Sequence, residues 1–460
     1  MTENNRYDVL IVGAGQAGIP LAHDLAKAGK QVALAEEKDL GGSCVNFGCT
    51  PTKAVIASAR VAHLARRGKE FGLRIPAVEV DFPAVLERAR RILMESRSSL
   101  QQGFEKTDNP RLLRGSARLE GREMDAFRVA VGERHLVAEQ VVLNTGTRST
   151  IPPIEGLESV NFICAENWLE STELPEHLAI IGAGYIGLEM SQFYRRMGSR
   201  VTVIEGEGQV AGHEDQDVAS ALQRFLEAEG VECFLNARVK RLESNDGSAK
   251  LTVEGDDESF VINASHVFVA TGRTPNTKDL GLETVGVEVS GLGIVAANDR
   301  LATNVEGVWV AGDIRGGPKF THTSWDDYRI LLSQIAGDGS RTTDRVVPYA
   351  IFTDPQLGRV GMTESEARNS GKEIKVARYE MKGNGRAREF GESEGFIKLI
   401  INTKTNRILG AAVLASEGAE LVHMYVDLMN AGAPYTVIRD AIHIHPTLAE
   451  AIQSAVKSFE

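Results

Sequence analysis

Short apolar runs that break at glycine set the pattern of the chain. Residues 9–12 (VLIV) run into GAGQAG, and residues 178–181 (LAII) run into GAGYIG. Each is followed by an amphipathic stretch and then by a second apolar run ending in an acid: VALAE closes at Glu36 and VTVIE at Glu205. Short aliphatic runs bounded by turn residues predict buried strands, and a 3.6-residue period predicts a helix. Both acids lie 23 residues beyond the first glycine of their unit. The chain therefore carries strand–turn–helix–strand–acid twice, in register.

The remaining pattern falls around these two units. A helical stretch from about Thr50 to Lys106 is interrupted near Pro76. Alternating and β-branched segments lead to Asn144, and VFVATGRTPN (267–276) closes the second unit. A strand at VWVAGD (308–313) precedes a helix from about Thr323. From about Val346 the period changes. FIKLIIN (396–402) and ILGAAVLA (408–415) predict antiparallel strands, and Glu420–Ala431 and Tyr435–Asp440 predict helices. The expected fold is α/β: two Rossmann-like dinucleotide-binding domains plus a C-terminal α+β domain. The boundaries fall at 1–150 for the first domain, 151–271 for the second, 272–345 for a return into the first, and 346–460 for the last.

The G-x-G-x-x-G repeats carry a specific chemistry. Gly13 and Gly182 permit a tight turn, Gly15 and Gly184 let the backbone approach a pyrophosphate, and Gly18 and Gly187 allow close helix packing. The helix N-terminus offers free N–H groups to phosphate. Glu36 and Glu205 can hold ribose hydroxyls.

Composition narrows the picture. The 460 residues carry a net charge of −12, which argues against nucleic acid or an anionic membrane as partner. No uncharged run approaches the ~18 residues that would span a bilayer. The N-terminal MTENNRYDVLIVG lacks the pattern of a secretory leader. A cytoplasmic location is expected. Four cysteines are too few for a disulfide scaffold.

Two of those cysteines stand out. Cys44 and Cys49 lie in GGSCVNFGCTPTK, where Gly41, Gly42 and Gly48 keep the backbone compact beside a ligand. A turn of helix can bring the pair to bonding distance, and Lys53 falls on the same helical face as Cys49. Cys164 and Cys233 are remote and lack metal-ligand spacing, so no metal site is expected and both should be inert.

These motifs resemble the flavin-dependent pyridine nucleotide–disulfide oxidoreductases, the family of lipoamide dehydrogenase, glutathione reductase and mercuric reductase. The resemblance covers essentially the whole chain and runs through C-x4-C with Lys53, NTG (144–146), GAGYIGLE (182–189), ATGRTPN (270–276), AGD (311–313) and HPTLAE (445–450). FTHTSWDDYRI (320–330) and VPYAIFTDPQLGRVGMTE (347–364) are similar to the mercuric-reductase-like branch. Thr50-Pro51-Thr52 and Asn144 depart from lipoamide dehydrogenase.

The resemblance implies that Gly13, Gly15, Gly18, Glu36, Gly42, Lys53, Thr145, Gly146 and Asp313 serve FAD. It implies that Gly182, Gly184, Tyr185, Gly187, Glu205 and Gly272 serve the nicotinamide cofactor, with Tyr185 as a gate or a packing ring. Glu205, followed by Gly206, favours NADH over NADPH. Cys49 would be the flavin-proximal thiol and Cys44 the interchange thiol. Lys53 and Glu189 would pair beside the flavin. His445 would be the acid/base, oriented by Glu450. The C-terminal domain would form a homodimer. Electrons would pass from NADH to a small disulfide, quinone or metal ion.

No cysteine follows Cys233, so the C-terminal pair of mercuric and large thioredoxin reductases is lacking. Two alternatives stand beside this reading: a dihydrolipoyl dehydrogenase of a multienzyme complex, and a non-catalytic cofactor-binding sensor. Arg60, His63 and Arg67 lie on one helix and would either line a substrate entrance or form a solvated basic face. Trp168, Trp309 and Trp325 are expected to pack, and His322 and His443 to be ordinary surface residues.

Overall fold

In the first unit, strands with aliphatic residues on both faces form a sheet that is buried on both sides. The computed structural model describes residues 5–245, 247–256 and 258–459. Arg111–Arg114, Val32–Glu36, Arg6–Val12, Arg134–Leu143 and Val308–Val310 lie parallel. Ala126–Val131 and Ala117–Glu123 extend that sheet antiparallel. Val308–Val310 pairs in parallel with Arg134–Leu143, after the strands of the second unit.

The second unit repeats the design. Val231–Phe234, Arg200–Ile204, His177–Ile181, His266–Val269 and Phe162–Ile163 form a parallel sheet. Beside it, Arg238–Asn245, Ser248–Glu254 and Ser259–Ala264 form an antiparallel sheet that the sequence reading did not resolve. A two-stranded ribbon, Thr147–Ser149 with Arg273–Pro275, carries the chain out of and back into the first unit.

The C-terminal unit is a five-stranded antiparallel sheet in which Ile408–Ala415 lies between Gln356–Gly361 and Phe396–Asn402. The long helical stretch appears as Cys49–Arg66 and Phe82–Glu105, with Pro76 in the gap. Asp81 caps the second helix through the Ala84 N–H, and proline follows at its start. The helix expected at Glu420–Ala431 divides into Gly418–Leu421 and His423–Asn430. Among the described residues no helix is long and apolar enough to cross a membrane.

Much of the seam between the units is ionic. Glu214 stands 3.6 Å from Arg359, with both side chains fully buried. Lys398, 5% exposed, meets Asp215, Asp217 and Glu364 at 3.2, 3.0 and 2.6 Å. Arg60 bonds Asp354 and Glu392, while Arg196 bonds Asp354 and Glu229. Arg60 is thus neither a solvated basic residue nor the rim of an entrance. Its guanidinium ties the helix Cys49–Arg66 to the C-terminal unit. Arg67 is held by Glu70 and the Gly391 carbonyl.

Candidate functional site: a thiol pair in a nucleotide cleft

The two glycine loops share one geometry. Gly13 has φ +103° and Gly182 has φ +106°, conformations that L side chains rarely adopt. A Cβ at Gly18 would lie 2.2 Å from the Gly13 carbonyl oxygen, and one at Gly187 would lie 2.1 Å from that of Gly182. The third glycine of each motif is therefore required by its own loop. Around Gly184 and Gly272 a Cβ would meet nothing within 4 Å, which leaves those backbones open to a ligand.

Both acids do more than the sequence reading assigned. Glu36 accepts the Ala14 N–H at 2.7 Å and the Lys38 N–H at 2.8 Å. Glu205 accepts the Ala183 N–H at 2.7 Å and the Glu207 N–H at 3.0 Å. Each carboxylate fixes its loop and keeps lone pairs for a ribose. Asn144, the departure from the usual ATG, donates from Nδ2 to the Gly13 carbonyl at 3.0 Å.

A cavity of about 2460 Å³ runs from Gly13, Gly15 and Glu36 past Gly42 to Cys44, Cys49 and Lys53. Thr145, Gly146, Asp313, Tyr185 and Glu189 also line it. A Cβ at Gly42 (φ +59°) would sit 2.9 Å from the Gly15 Cα, so only glycine keeps this part of the cleft open. Thr145 Oγ1 donates to the Asn276 carbonyl at 2.7 Å, and Asp313 accepts from Thr147 Oγ1 at 3.0 Å. A glycine-lined cleft of this extent, with the thiols partway along it, fits FAD.

Cys44 sits on the short helix Gly42–Asn46, and Cys49 opens the helix Cys49–Arg66. Both are free thiols here. Gly48 makes the approach possible, since a Cβ there would stand 2.8 Å from the Ser43 carbonyl oxygen. Trp168, buried, donates from Nε1 to the Phe47 carbonyl at 2.9 Å and holds the intervening loop.

The two thiols are shifted in opposite directions. The hydrogen bond from Cys44, then the charge of Lys53 and a contact with Thr321 Oγ1 at 3.2 Å, bring the Cys49 thiol down to about 6 against the effect of burial. The same hydrogen bond, with burial, pushes Cys44 well up. Cys49 is the thiolate, and a helix N-terminus favours it there. Burial raises Cys233 to about 12 and also raises Cys164, so neither is a nucleophile near neutral pH.

Lys53 Nζ donates to Glu189 Oε2 at 2.7 Å, joining the first unit to the second. Glu189 is 4% exposed, and its other oxygen accepts the Phe352 N–H at 2.9 Å. Tyr185 begins the helix Tyr185–Met197, is half-buried, and packs 6.2 Å from the Phe320 ring. Burial pushes its hydroxyl up to about 12, so it stays neutral.

His445 is placed elsewhere. Its Nδ1 lies 3.0 and 3.1 Å from the two oxygens of Glu450, which also accepts the Thr447 N–H at 3.0 Å. That backbone bond, then the imidazole, holds the Glu450 carboxyl below the usual range. The His445 side chain is 78% exposed, and the residue does not line the cavity that contains Cys44. His445 and Glu450 are hydrogen-bonded to each other, and within one chain the dyad stands apart from the thiols.

Several neighbours of the thiols were not singled out from the sequence. Thr321, Phe320, Tyr349 and Phe352 line the cavity, and the Phe320 ring stacks on His322 at 5.4 Å and on Tyr349 at 5.2 Å. His322 lines the cavity and is at the same time exposed, as a surface residue would be. Its Nε2 donates to the Pro348 carbonyl at 2.6 Å, and burial lowers its pKa. The only sequence signal for this group was its place in the FTHT and VPYAIFT motifs. Trp325 is 45% exposed and packs edge-on against Tyr328, with ring centroids 5.0 Å apart.

Comparison with known proteins accords with this geometry. Residues 7–327 match the family described as pyridine nucleotide-disulphide oxidoreductase, and residues 347–456 match the dimerisation domain of the same family. The chain is 33% identical to the probable pyridine nucleotide-disulfide oxidoreductase RclA of Escherichia coli, over 97% of this chain and 98% of that one. It is 31% identical to the mitochondrial dihydrolipoyl dehydrogenase 1 of Arabidopsis thaliana, over 98% of this chain and 90% of that protein. A solved structure described as the Cu(II) complex of HOCl-induced flavoprotein disulfide reductase RclA from Escherichia coli superposes with a TM-score of 0.88 at 33% identity, covering 98% of this chain and 99% of that one. With its paired nucleotide loops, its thiol couple and its C-terminal dimerisation domain, the chain belongs to the FAD-dependent, NAD(P)H-using pyridine nucleotide–disulfide oxidoreductases.

Proposed function

We propose that this enzyme passes electrons from NADH, through FAD and the Cys44–Cys49 couple, to a small disulfide, a quinone or metal ions. One observation carries the reading. The Cys49 thiolate, bracketed by Cys44, Lys53 and Thr321, lies in the same cleft as the first glycine loop. Bound FAD would supply the two-electron relay between nicotinamide and thiols.

The residues divide the work. Gly13, Gly15, Gly18, Gly42, Glu36, Thr145, Gly146 and Asp313 hold FAD. Gly182, Gly184, Gly187, Glu205 and Gly272 hold NADH, with Tyr185 covering the nicotinamide pocket until the cofactor arrives. Cys44 attacks the acceptor, and Cys49, its thiolate favoured by the Lys53 charge that Glu189 positions, faces the flavin. The four domain segments meet at residues 150, 271 and 345. His445 takes and returns the thiol proton. Glu450 occupies its Nδ1 and so leaves Nε2 for that exchange. Because the dyad is exposed and remote from Cys44 in its own chain, it serves the thiols of a second subunit in a homodimer.

The Cu(II) complex of RclA supports a metal ion among the acceptors. The 31% identity to a dihydrolipoyl dehydrogenase supports lipoamide as the second reading. An acceptor panel with NADH decides between them: lipoamide, small-thiol disulfides, quinones, Cu(II) and Hg(II). Turnover with small disulfides, quinones or Cu(II), and little with lipoamide, is expected. Lipoamide as the best acceptor would transfer the assignment to the second reading, and no turnover with any acceptor would leave only a sensor.

A further inference from the structure

Lys53 carries its charge on a flexible four-carbon stem, and one carboxylate contact does not by itself fix such a group. The structure shows a second contact from an unexpected quarter. The Phe352 ring, in the C-terminal part of the chain, lies with its centroid 4.5 Å from Lys53 Nζ. The ammonium is thus held between the carboxylate of Glu189 and an aromatic face, both of which attract a cation.

Phe352 is itself clamped. Its N–H donates to Glu189 Oε1 at 2.9 Å. Two residues on, Asp354 exchanges hydrogen bonds with Gln192, its N–H donating at 2.8 Å and its carbonyl accepting at 2.9 Å. The Asp354 carboxylate then binds Arg196 and Arg60, each at 2.9 Å. Glu189, Gln192 and Arg196 are spaced i, i+3, i+7 and so share one face of the helix Tyr185–Met197. Arg60 lies two turns beyond Lys53 on the helix of Cys49. Residues 352–354 therefore form a strap from the C-terminal unit across both helices that border the thiols.

We propose that Phe352 is a positioning residue of the redox centre, pinning the Lys53 ammonium against Glu189 so that docking of the C-terminal unit sets the poise of Cys49. The inference rests on the reading of Cys49 as the flavin-proximal thiol. Cys49 is faced by Cys44 from the preceding helix, Lys53 on its own, Glu189 and Tyr185 from the helix Tyr185–Met197, and Thr321 from the helix Thr321–Ala336. Among these Phe352 touches two: Lys53 through its ring and Glu189 through its backbone N–H, which a side-chain substitution keeps.

The test uses FAD-loaded protein with Cys44→Ser, so that Cys49 is the one thiol at the centre. The pH midpoint of Cys49 alkylation by iodoacetamide is followed by peptide mass spectrometry, beside FAD content and Tm. With Phe352→Leu the midpoint should rise by about half a pH unit, roughly threefold in thiolate at fixed pH below it, while FAD content holds. Phe352→Tyr should keep the parent midpoint. Should the leucine variant fold poorly, Phe352→Met takes its place with the same expectation. A depressed parent midpoint that neither variant moves would overturn this inference alone. In protein that keeps Cys44, a Cys49 midpoint at the ordinary thiol value would overturn both it and the redox-thiol reading.

Discussion

His445 Nδ1 stands 3.0 Å from Glu450 Oε1 on a segment where Ile442 is 100% and Ile444 79% exposed. A hydrogen-bonded polar dyad flanked by bare isoleucines is what an isologous interface would cover. Mixing Cys44→Ser subunits with His445→Ala subunits tests whether the dyad acts on the partner. About half of randomly formed dimers are mixed, each with one intact site, so about a quarter of wild-type activity should return. If the dyad works within its own chain, every site keeps one lesion and activity stays at the level of the parents.

The thiol pair has a pH signature. Cys49 titrates at about 6, and deprotonation there is favoured by Cys44 and Lys53. The long-wavelength absorbance of the two-electron-reduced enzyme should be full near pH 7 and fade as pH falls through about 6. Cys44→Ser should keep an absorbance of this kind and lose disulfide reduction. Lys53→Met should move the midpoint up by about one unit. A titration that Lys53→Met leaves in place would separate the ammonium from the thiolate.

The acid of the second nucleotide unit should set cofactor choice. Glu205 would repel a 2′-phosphate, and the exposed Arg238 lies beside Gly206, where a Cβ would meet its Nε at 3.3 Å. NADH should give the higher kcat/KM. Glu205→Gln keeps an acceptor for one of the two loop N–H groups and removes the charge, so the ratio of the two cofactors should narrow about tenfold, near 1.4 kcal/mol. Equal use of NADPH by the wild type would refute the assignment.

The seam residues predict a stability effect remote from the chemistry. Arg359→Met would strand the fully buried Glu214, at a cost of about 3–5 kcal/mol. Burial, the largest influence on Glu214, already raises its pKa. A carboxylate raised in the folded state costs stability above its unfolded pKa, and the cost is relieved as pH falls. The variant's deficit should therefore shrink on acidification from pH 7 toward about 5, and Glu214→Gln with Arg359→Met should recover most of it. Denaturant melts across that range give the answer.

The sequence made the nucleotide loops, the thiol pair and the His445–Glu450 dyad legible because each is local. Glycine spacing, a C-x4-C and a five-residue interval are all short-range statements. The seams were not legible. Arg60 looks like any basic residue on a helix until Asp354, 294 residues away, arrives beside it. The stacked Phe320, His322 and Tyr349 likewise come from segments whose hydrophobicity alone predicts packing. Aromatic contacts between distant segments leave no periodic trace.

The helix Tyr185–Met197 has a consequence for how this chain can diverge. Its first turn carries the second nucleotide motif, and the face from Glu189 to Arg196 reads the strap at 352–354. One residue inserted between Glu189 and Arg196 would turn the later contacts by about 100° and break the set. The helix can therefore change its exposed side chains but not its length. The exposed turn at Met124, by contrast, can lengthen freely. Recombination meets the same limit: the C-terminal sheet can be exchanged with that of a relative only if the helix that reads its strap travels with it.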